Sequence, residues 1–157
     1  MSKKKEKPYL KIVFWIYIFA VFVIVVVKFQ GSLYGLTNKI SSVRSDREAG
    51  FWNYNIVPLK SISPYLKNIT YGYALKNILG NIIPFVPFGF LLPIAYIKYR
   101  KFLKVMRISF VSIFGVELFQ FVTMLGAFDV DDIFLNMIAC LIGYCLFRLL
   151  QMYTIQT

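Results

Sequence analysis

Four stretches of this chain, residues 9–28, 78–97, 105–125 and 132–151, are each apolar over about the length a helix needs to cross a lipid hydrocarbon layer. That layer is roughly 30 Å thick and takes about 20 helical residues. Inside it the backbone finds no water, so its N–H and C=O groups must be satisfied within the protein, and each stretch is expected to be helical. The whole chain is 59% hydrophobic and 18% aromatic, too apolar for a water-soluble domain of 157 residues. About half of the chain lies in the four runs, and the longest stretch outside them is 29–77. The expectation is one all-α domain over 1–157: a polytopic membrane bundle of about four transmembrane helices, with an extracytoplasmic segment at 29–77.

The net charge of +11 is distributed for a membrane rather than for nucleic acid. One basic cluster is Lys3, Lys4, Lys5 and Lys7; a second is Lys98, Arg100, Lys101, Lys104 and Arg107, between the second and third runs. Lys and Arg flanking spans mark the cytoplasmic side. Both clusters lie inside if the N- and C-termini are cytoplasmic, and the acidic turn before the fourth run then faces out. The first run has a basic start like a signal peptide, but it is long, rich in Val and Ile, and lacks a small-residue cleavage site, so it reads as an uncleaved anchor. With no histidine in the chain, His-based triads, the usual zinc hydrolase motifs and His-ligated haem are excluded. Cys140 and Cys145 fall about 140° apart around one helix, which disfavours a disulfide between them. No cofactor is expected.

Polar residues are concentrated in a few places. Glu117 stands in the middle of the third run, where a carboxylate costs at least about 2.5 kcal/mol and ordinarily faces a partner or a water-filled cavity. Four of the seven acidic residues are Glu117, Asp129, Asp131 and Asp132. Helical spacing puts Asn77 with Asn81, Glu117 with Gln120, and Asp132 with Asn136 on shared faces at the same end of their spans. By the same phase Asp129 falls near the Asp132 face and Asp131 is turned about 100° away. Ala139, Cys140 and Gly143 continue the Asp132 stripe and would admit a close helix neighbour. The second run carries Pro84, Pro87 and Pro93, each lacking a donor to the carbonyl four residues back, so the span is expected to be kinked or broken. Residues 31–50 suit a loop or a short surface helix. Ile62, Tyr65, Leu66 and Ile69 suit either a short amphipathic element on the outer leaflet or an ordinary loop.

Taken in order, Asn55-x-x-Pro58, Asn77-x-x-x-Asn81 with Pro84-x-x-Pro87-x-Gly89, Glu117-x-x-Gln120, and Phe128-Asp129-Val130-Asp131-Asp132-x-x-x-Asn136 resemble the VanZ-like family of bacterial membrane proteins, named for a teicoplanin resistance determinant. The resemblance covers roughly 44–144. This chain has Ala139-Cys140 where the family tends to a glycine. The resemblance implies a protein of the bacterial cell membrane without a settled biochemical activity.

Three functions are compatible with the residues. In the first, Asn55, Asn77, Asn81, Glu117, Gln120, Asp129, Asp132 and Asn136 bind an amphiphilic or lipid-linked envelope molecule and contribute to glycopeptide resistance or envelope homeostasis. In the second, the protein is an enzyme on lipid or cell-wall precursors. Glu117 or Asp132 then serves as acid or base, or Asp131 and Asp132 hold a divalent cation. In the third, Glu117 is satisfied by Gln120 and Asn81 and only fixes helix register. The expected partners are membrane lipids or lipid-linked envelope molecules.

Overall fold

The computed structural model of the chain describes residues 7–26, 33–67 and 72–156. Ile69 and the side chains of Leu66 and Asn77 lie outside the described residues. Helix α1 (Pro8–Val21) starts with proline at its first position, where the missing N–H costs no helical bond, and continues as a π-helical turn over Phe22–Val26. Helix α2 (Leu33–Glu48) is polar and buries none of its residues. Strand β1 (Tyr54–Asn55) and helix α3 (Ile62–Lys67) follow, then α4 (Gly72–Ala95), a 3-10 turn at Ile97–Tyr99, α5 (Phe102–Val122), strand β2 (Phe128–Asp129) and α6 (Val130–Gln156).

Four helical stretches are long and apolar enough to cross a membrane: Pro8–Val25, Ile78–Ala95, Phe102–Val122 and Val130–Tyr153. They coincide with the four apolar runs of the sequence, and the fold is an all-α membrane bundle. Large side chains such as Phe19, Val111, Phe134 and Leu149 project outward from α1, α5 and α6. So much exposed apolar surface would drive a soluble protein to aggregate, whereas lipid accepts it. Residues 33–48 resolve the choice between loop and surface helix in favour of helix.

The proline-rich helix α4 runs unbroken from Gly72 through Pro84, Pro87 and Pro93. Neighbouring helices give donors to carbonyls beside the prolines. The Tyr17 hydroxyl of α1 donates to the Pro84 carbonyl at 2.5 Å, and the Cys140 thiol of α6 to that of Phe85 at 3.5 Å. These contacts tie α1 and α6 to the proline segment, while the carbonyls that the prolines leave without a helical donor are those of Gly80, Ile83 and Gly89.

Helices α4 and α6 form the most extensive pair in the bundle. A Cβ at Gly89 would lie 2.0 Å from the Cys140 carbonyl oxygen, and one at Gly143 would lie 2.0 Å from that of Val86. Backbone meets backbone at both points, a separation only glycine permits. Ala139 and Cys140 are fully buried beside this contact, as the small-residue stripe led one to expect. Phe14, Phe85, Phe88, Leu92 and Phe147 fill the core around it.

Candidate functional site

The end of the bundle where α5 stops and α6 begins carries nearly all the acidic side chains, and residues 47–62 fold back onto it. Helix α5 closes with Thr123 as its C-cap and Met124 in the left-handed region at φ 60°. The chain then turns into β2, which pairs in parallel with β1: Tyr54 opposite Phe128, Asn55 opposite Asp129. The Phe128 N–H donates to the Asn53 carbonyl at 3.1 Å, and the Asn53 amide donates to the Gly126 carbonyl at 2.5 Å. Each strand is only two residues long, so side chains must supply most of the grip.

Asn55 and Asp129 supply part of it. The Asn55 Oδ1 accepts the Val57 N–H at 3.1 Å, a local turn that aims the chain toward Pro58. Its Nδ2 donates to Asp129 Oδ1 at 3.0 Å and to Ser61 Oγ at 3.0 Å, and the Ser61 hydroxyl donates to Asp129 Oδ2. Asp129 Oδ1 also accepts the Asp131 N–H at 2.9 Å. Asp129 is therefore the N-cap of α6, satisfying a donor the helix cannot, while Asp131 and Asp132 in the first turn favour the helix dipole.

Asp131 supplies the rest, from a face that helical phase alone does not show to be covered. It is the fully buried aspartate of the three, at 0% exposure, while Asp132 is half-buried. Its Oδ1 accepts the Leu59 N–H at 2.6 Å, and its Oδ2 accepts those of Ser61 at 2.8 Å and Ile62 at 3.2 Å. Asp131 does turn away from the Asp132 face, but residues 59–62 cover the side to which it turns. Leu59 holds φ 66°, a conformation a branched side chain seldom adopts, and the carboxylate grip on its N–H helps keep it there. With both oxygens facing N–H donors, Asp131 anchors the loop. Among the described residues, no three His, Cys, Asp or Glu side chains converge to hold a metal.

Behind this lid lie the polar groups of the spans. Glu117 and Gln120, 3% and 2% exposed, share the buried face of α5, and Asn136 of α6 is 2% exposed. Glu117 Oε2 accepts the Asp129 N–H at 3.2 Å, so the carboxylate is tied to the start of α6 by a backbone bond that spacing could not foresee. Gln120 Nε2 donates to the Val25 carbonyl at 2.7 Å, drawing in the π-helical end of α1. Asn81 Nδ2 donates to Asp132 Oδ1 at 2.5 Å, joining α4 to α6 as their shared polar end implied. Asn136 Oδ1 is enclosed without a hydrogen-bond partner among the described residues. A buried acceptor in that state carries a desolvation cost of about 1–3 kcal/mol, which a donor from water or a ligand would offset.

Arg47, Asn53 and Ser61 complete the site and were not among the residues singled out for it. Arg47 Nε donates to Asn53 Oδ1 at 2.7 Å and its Nη2 to the Phe121 carbonyl at 2.5 Å, with the guanidinium 4.6 Å from the Phe121 ring centroid and 5.3 Å from that of Trp52. It caps the last turn of α5 from outside. The signal for it was the cation beside a polar, aromatic outer segment, which is useful only if that segment folds inward. It does. Asn55, Asn81, Glu117, Gln120, Asp129, Asp132 and Asn136 accordingly gather at one end of the bundle.

The arrangement is rich in acceptors and framed by apolar side chains. Neither a curated protein nor a solved structure matches the chain. The sequence profile of the VanZ/LLP1 family matches residues 14–151, most of the chain, including every element of the site just described. This membrane protein therefore belongs to the VanZ/LLP1 family.

Proposed function

We propose that the protein binds an amphiphilic or lipid-linked envelope molecule at the acidic end of the bundle, and through it contributes to glycopeptide (teicoplanin-type) resistance or envelope homeostasis. The placement that goes with this reading is a bacterial cell membrane with both termini cytoplasmic and the Asp129–Asp132 end outside. The charge pattern supports it, because the Lys98 to Arg107 cluster sits at the opposite end from the aspartates.

One observation carries the proposal. Phe51, Trp52, Ile56, Val57 and Leu59 are each more than half exposed, yet they belong to the segment hydrogen-bonded onto the polar network rather than to a span. An apolar ridge thus borders a buried polar cluster that includes an enclosed acceptor, Asn136 Oδ1. An amphiphile matches both halves: its head reaches the acceptors and its body lies along the ridge.

The test is purification in nanodiscs from a bacterial host with native lipids, followed by mass spectrometry of what co-purifies with wild type and with Glu117→Gln. The glutamine can still accept the Asp129 N–H, so insertion and melting temperature should hold. The enriched amphiphile should fall several-fold, and the host should become more sensitive to teicoplanin. A well-folded Glu117→Gln protein that retains the same amphiphile, in a host of unchanged sensitivity, would reduce Glu117 to a pin for helix register.

A further inference from the structure

Residues 51–59 belong to no span, yet the segment is tied near both ends to residues inside spans. The Trp52 ring lies 6.4 Å from that of Phe121, in the last turn of α5. The Leu59 N–H is held by Asp131, in the first turn of α6. Phe121 and Asp131 fall within Phe102–Val122 and Val130–Tyr153, two of the stretches long and apolar enough to cross a membrane. The segment therefore runs alongside the bundle at the level where those stretches end.

Its side chains are sorted by face. Successive side chains of an extended chain point to opposite sides. Asn53 and Asn55 turn inward, to the Gly126 carbonyl and to Asp129. Trp52, Tyr54 and Ile56, which alternate with them, are each more than half exposed, as are Phe51, Val57 and Leu59. A contiguous apolar surface of this kind is costly in water.

The backbone is turned inward as well. The Tyr54 N–H goes to the Trp52 carbonyl at 3.0 Å, that of Val57 to Asn55 Oδ1 at 3.1 Å, that of Lys60 to the Val57 carbonyl at 3.3 Å, and that of Ser63 to the Leu59 carbonyl at 2.9 Å. Asp131 takes those of Leu59, Ser61 and Ile62, and Pro58 has none to satisfy. A loop in water needs few of these bonds, because the solvent supplies them. Irregular backbone at membrane depth has to find them within the protein.

We propose that residues 51–59 dock into the adjoining lipid leaflet, their exposed side chains among the upper acyl segments and their backbone bonds kept inward. Continuity selects lipid over a second protein as the occupant. Phe119 and Val122 expose apolar surface on the last turns of α5, and the contact of Phe121 with Trp52 joins that end of the helix to the ridge. Aromatic side chains such as Trp52 and Tyr54 also favour the boundary between lipid and water. The inference stands apart from the ligand proposed above, although an amphiphile lying along the ridge would reach it through the same leaflet.

The test uses the full chain in phosphatidylcholine vesicles, with Trp15→Phe so that Trp52 is the sole tryptophan. Its fluorescence is compared in matching lipids that are unbrominated, brominated near the glycerol end of the acyl chains, or brominated near the methyl end, and separately with iodide in the buffer. A ring seated about 5–10 Å into the headgroup and acyl boundary meets the shallow bromines rather than the deep ones. The shallow bromines should quench Trp52 at least about twofold more than the deep ones, and iodide should quench it several-fold less than free tryptophan. Trp52→Phe, which leaves Trp15 within α1, shows through its own quenching by brominated lipid that the chain has inserted. Ready quenching by iodide without quenching by bromine would put the segment in water and overturn the proposal. Shielding from both would overturn it by assigning the ridge to a protein surface, and stronger quenching by the deep bromines would overturn the depth set by Phe121 and Asp131. None of these outcomes depends on whether an envelope amphiphile co-purifies with the protein.

Discussion

Replacing Asp131 with asparagine changes one atom and should release the outer segment from the bundle. The carboxylate accepts three backbone N–H groups through two oxygens, whereas an amide offers one acceptor. With its oxygen at the Oδ2 position, asparagine still serves Ser61 and Ile62, but its NH2 then faces the Leu59 N–H. Hydrogen bonds to a charged group contribute about 1.5–3 kcal/mol and neutral ones about 1. Losing the first and weakening the other two costs about 3–5 kcal/mol. Relaxation of Leu59 from φ 66° returns about 1–2 kcal/mol of that, and water reaching the freed N–H returns a little more. A net loss of about 2–3 kcal/mol makes opening of the loop roughly thirty- to a hundred-and-fiftyfold more frequent. Hydrogen–deuterium exchange on peptides covering 57–63 reads that opening directly, because local unfolding limits exchange there. Exchange should accelerate by that factor in Asp131→Asn, with α4 and α6 unaffected. Asp132→Asn should leave the 57–63 peptides at the wild-type rate, since Asp132 bonds to Asn81 of α4. Unchanged exchange in Asp131→Asn, or equal acceleration in both variants, would refute the anchoring role.

Gly89→Ala and Gly143→Ala should each separate α4 from α6, because the added methyl meets a carbonyl oxygen at 2.0 Å. Overpacking of this kind costs about 1–3 kcal/mol or more and should appear as a lowered melting temperature in detergent. Gly115→Ala, with nothing within 4 Å of the added atom, should melt no lower than wild type. Arg47→Lys loses the fork that joins Asn53 Oδ1 to the Phe121 carbonyl and should raise protease sensitivity near residue 50 severalfold; digestion at the wild-type rate would count against the cap. For topology, a single cysteine at exposed Ala127, on a background without Cys140 and Cys145, should label with an impermeant thiol reagent in intact cells, and one at exposed Lys101 should not. Labelling at Lys101 alone would invert the orientation and place the polar site inside the cell.

The sequence announced the spans because continuous apolar runs of membrane length leave the backbone little choice but helix. The Asn81–Asp132 contact and the small-residue face of α6 were legible for a related reason: helical phase is a local property, and these residues meet along straight helices. The lid was not legible. Its register joins Asn55 to Asp129 across 74 positions through strands of two residues, too short to show any period. Asp131 illustrates the consequence. Phase correctly turned it from the bundle, yet its surroundings depend on where residues 59–62 return, and no local pattern encodes that. The Glu117 partner was hidden for the same reason, since the Asp129 N–H arrives through the turn that closes α5. Arg47 could be seen as a cation able to reach inward, but its acceptors are a backbone carbonyl and an asparagine that only the folded lid presents.

The long separation between the lid and its acceptors also fixes an order of events during synthesis. Residues 53–62 emerge about 70 positions before Gly126, Asp129 and Asp131, the groups that receive them. At translation rates of about 5–20 residues per second, that leaves an interval on the order of several seconds. Through it, the Leu59, Ser61 and Ile62 amides and the exposed ridge have only the membrane surface for company. Asp131, at the start of α6, can receive them only once α5 and the turn after it have been made. Closure of the lid is thus the last stitch of assembly. A chain stalled before residue 131 would leave the apolar ridge of Phe51, Trp52, Ile56, Val57 and Leu59 without the carboxylate that fastens it.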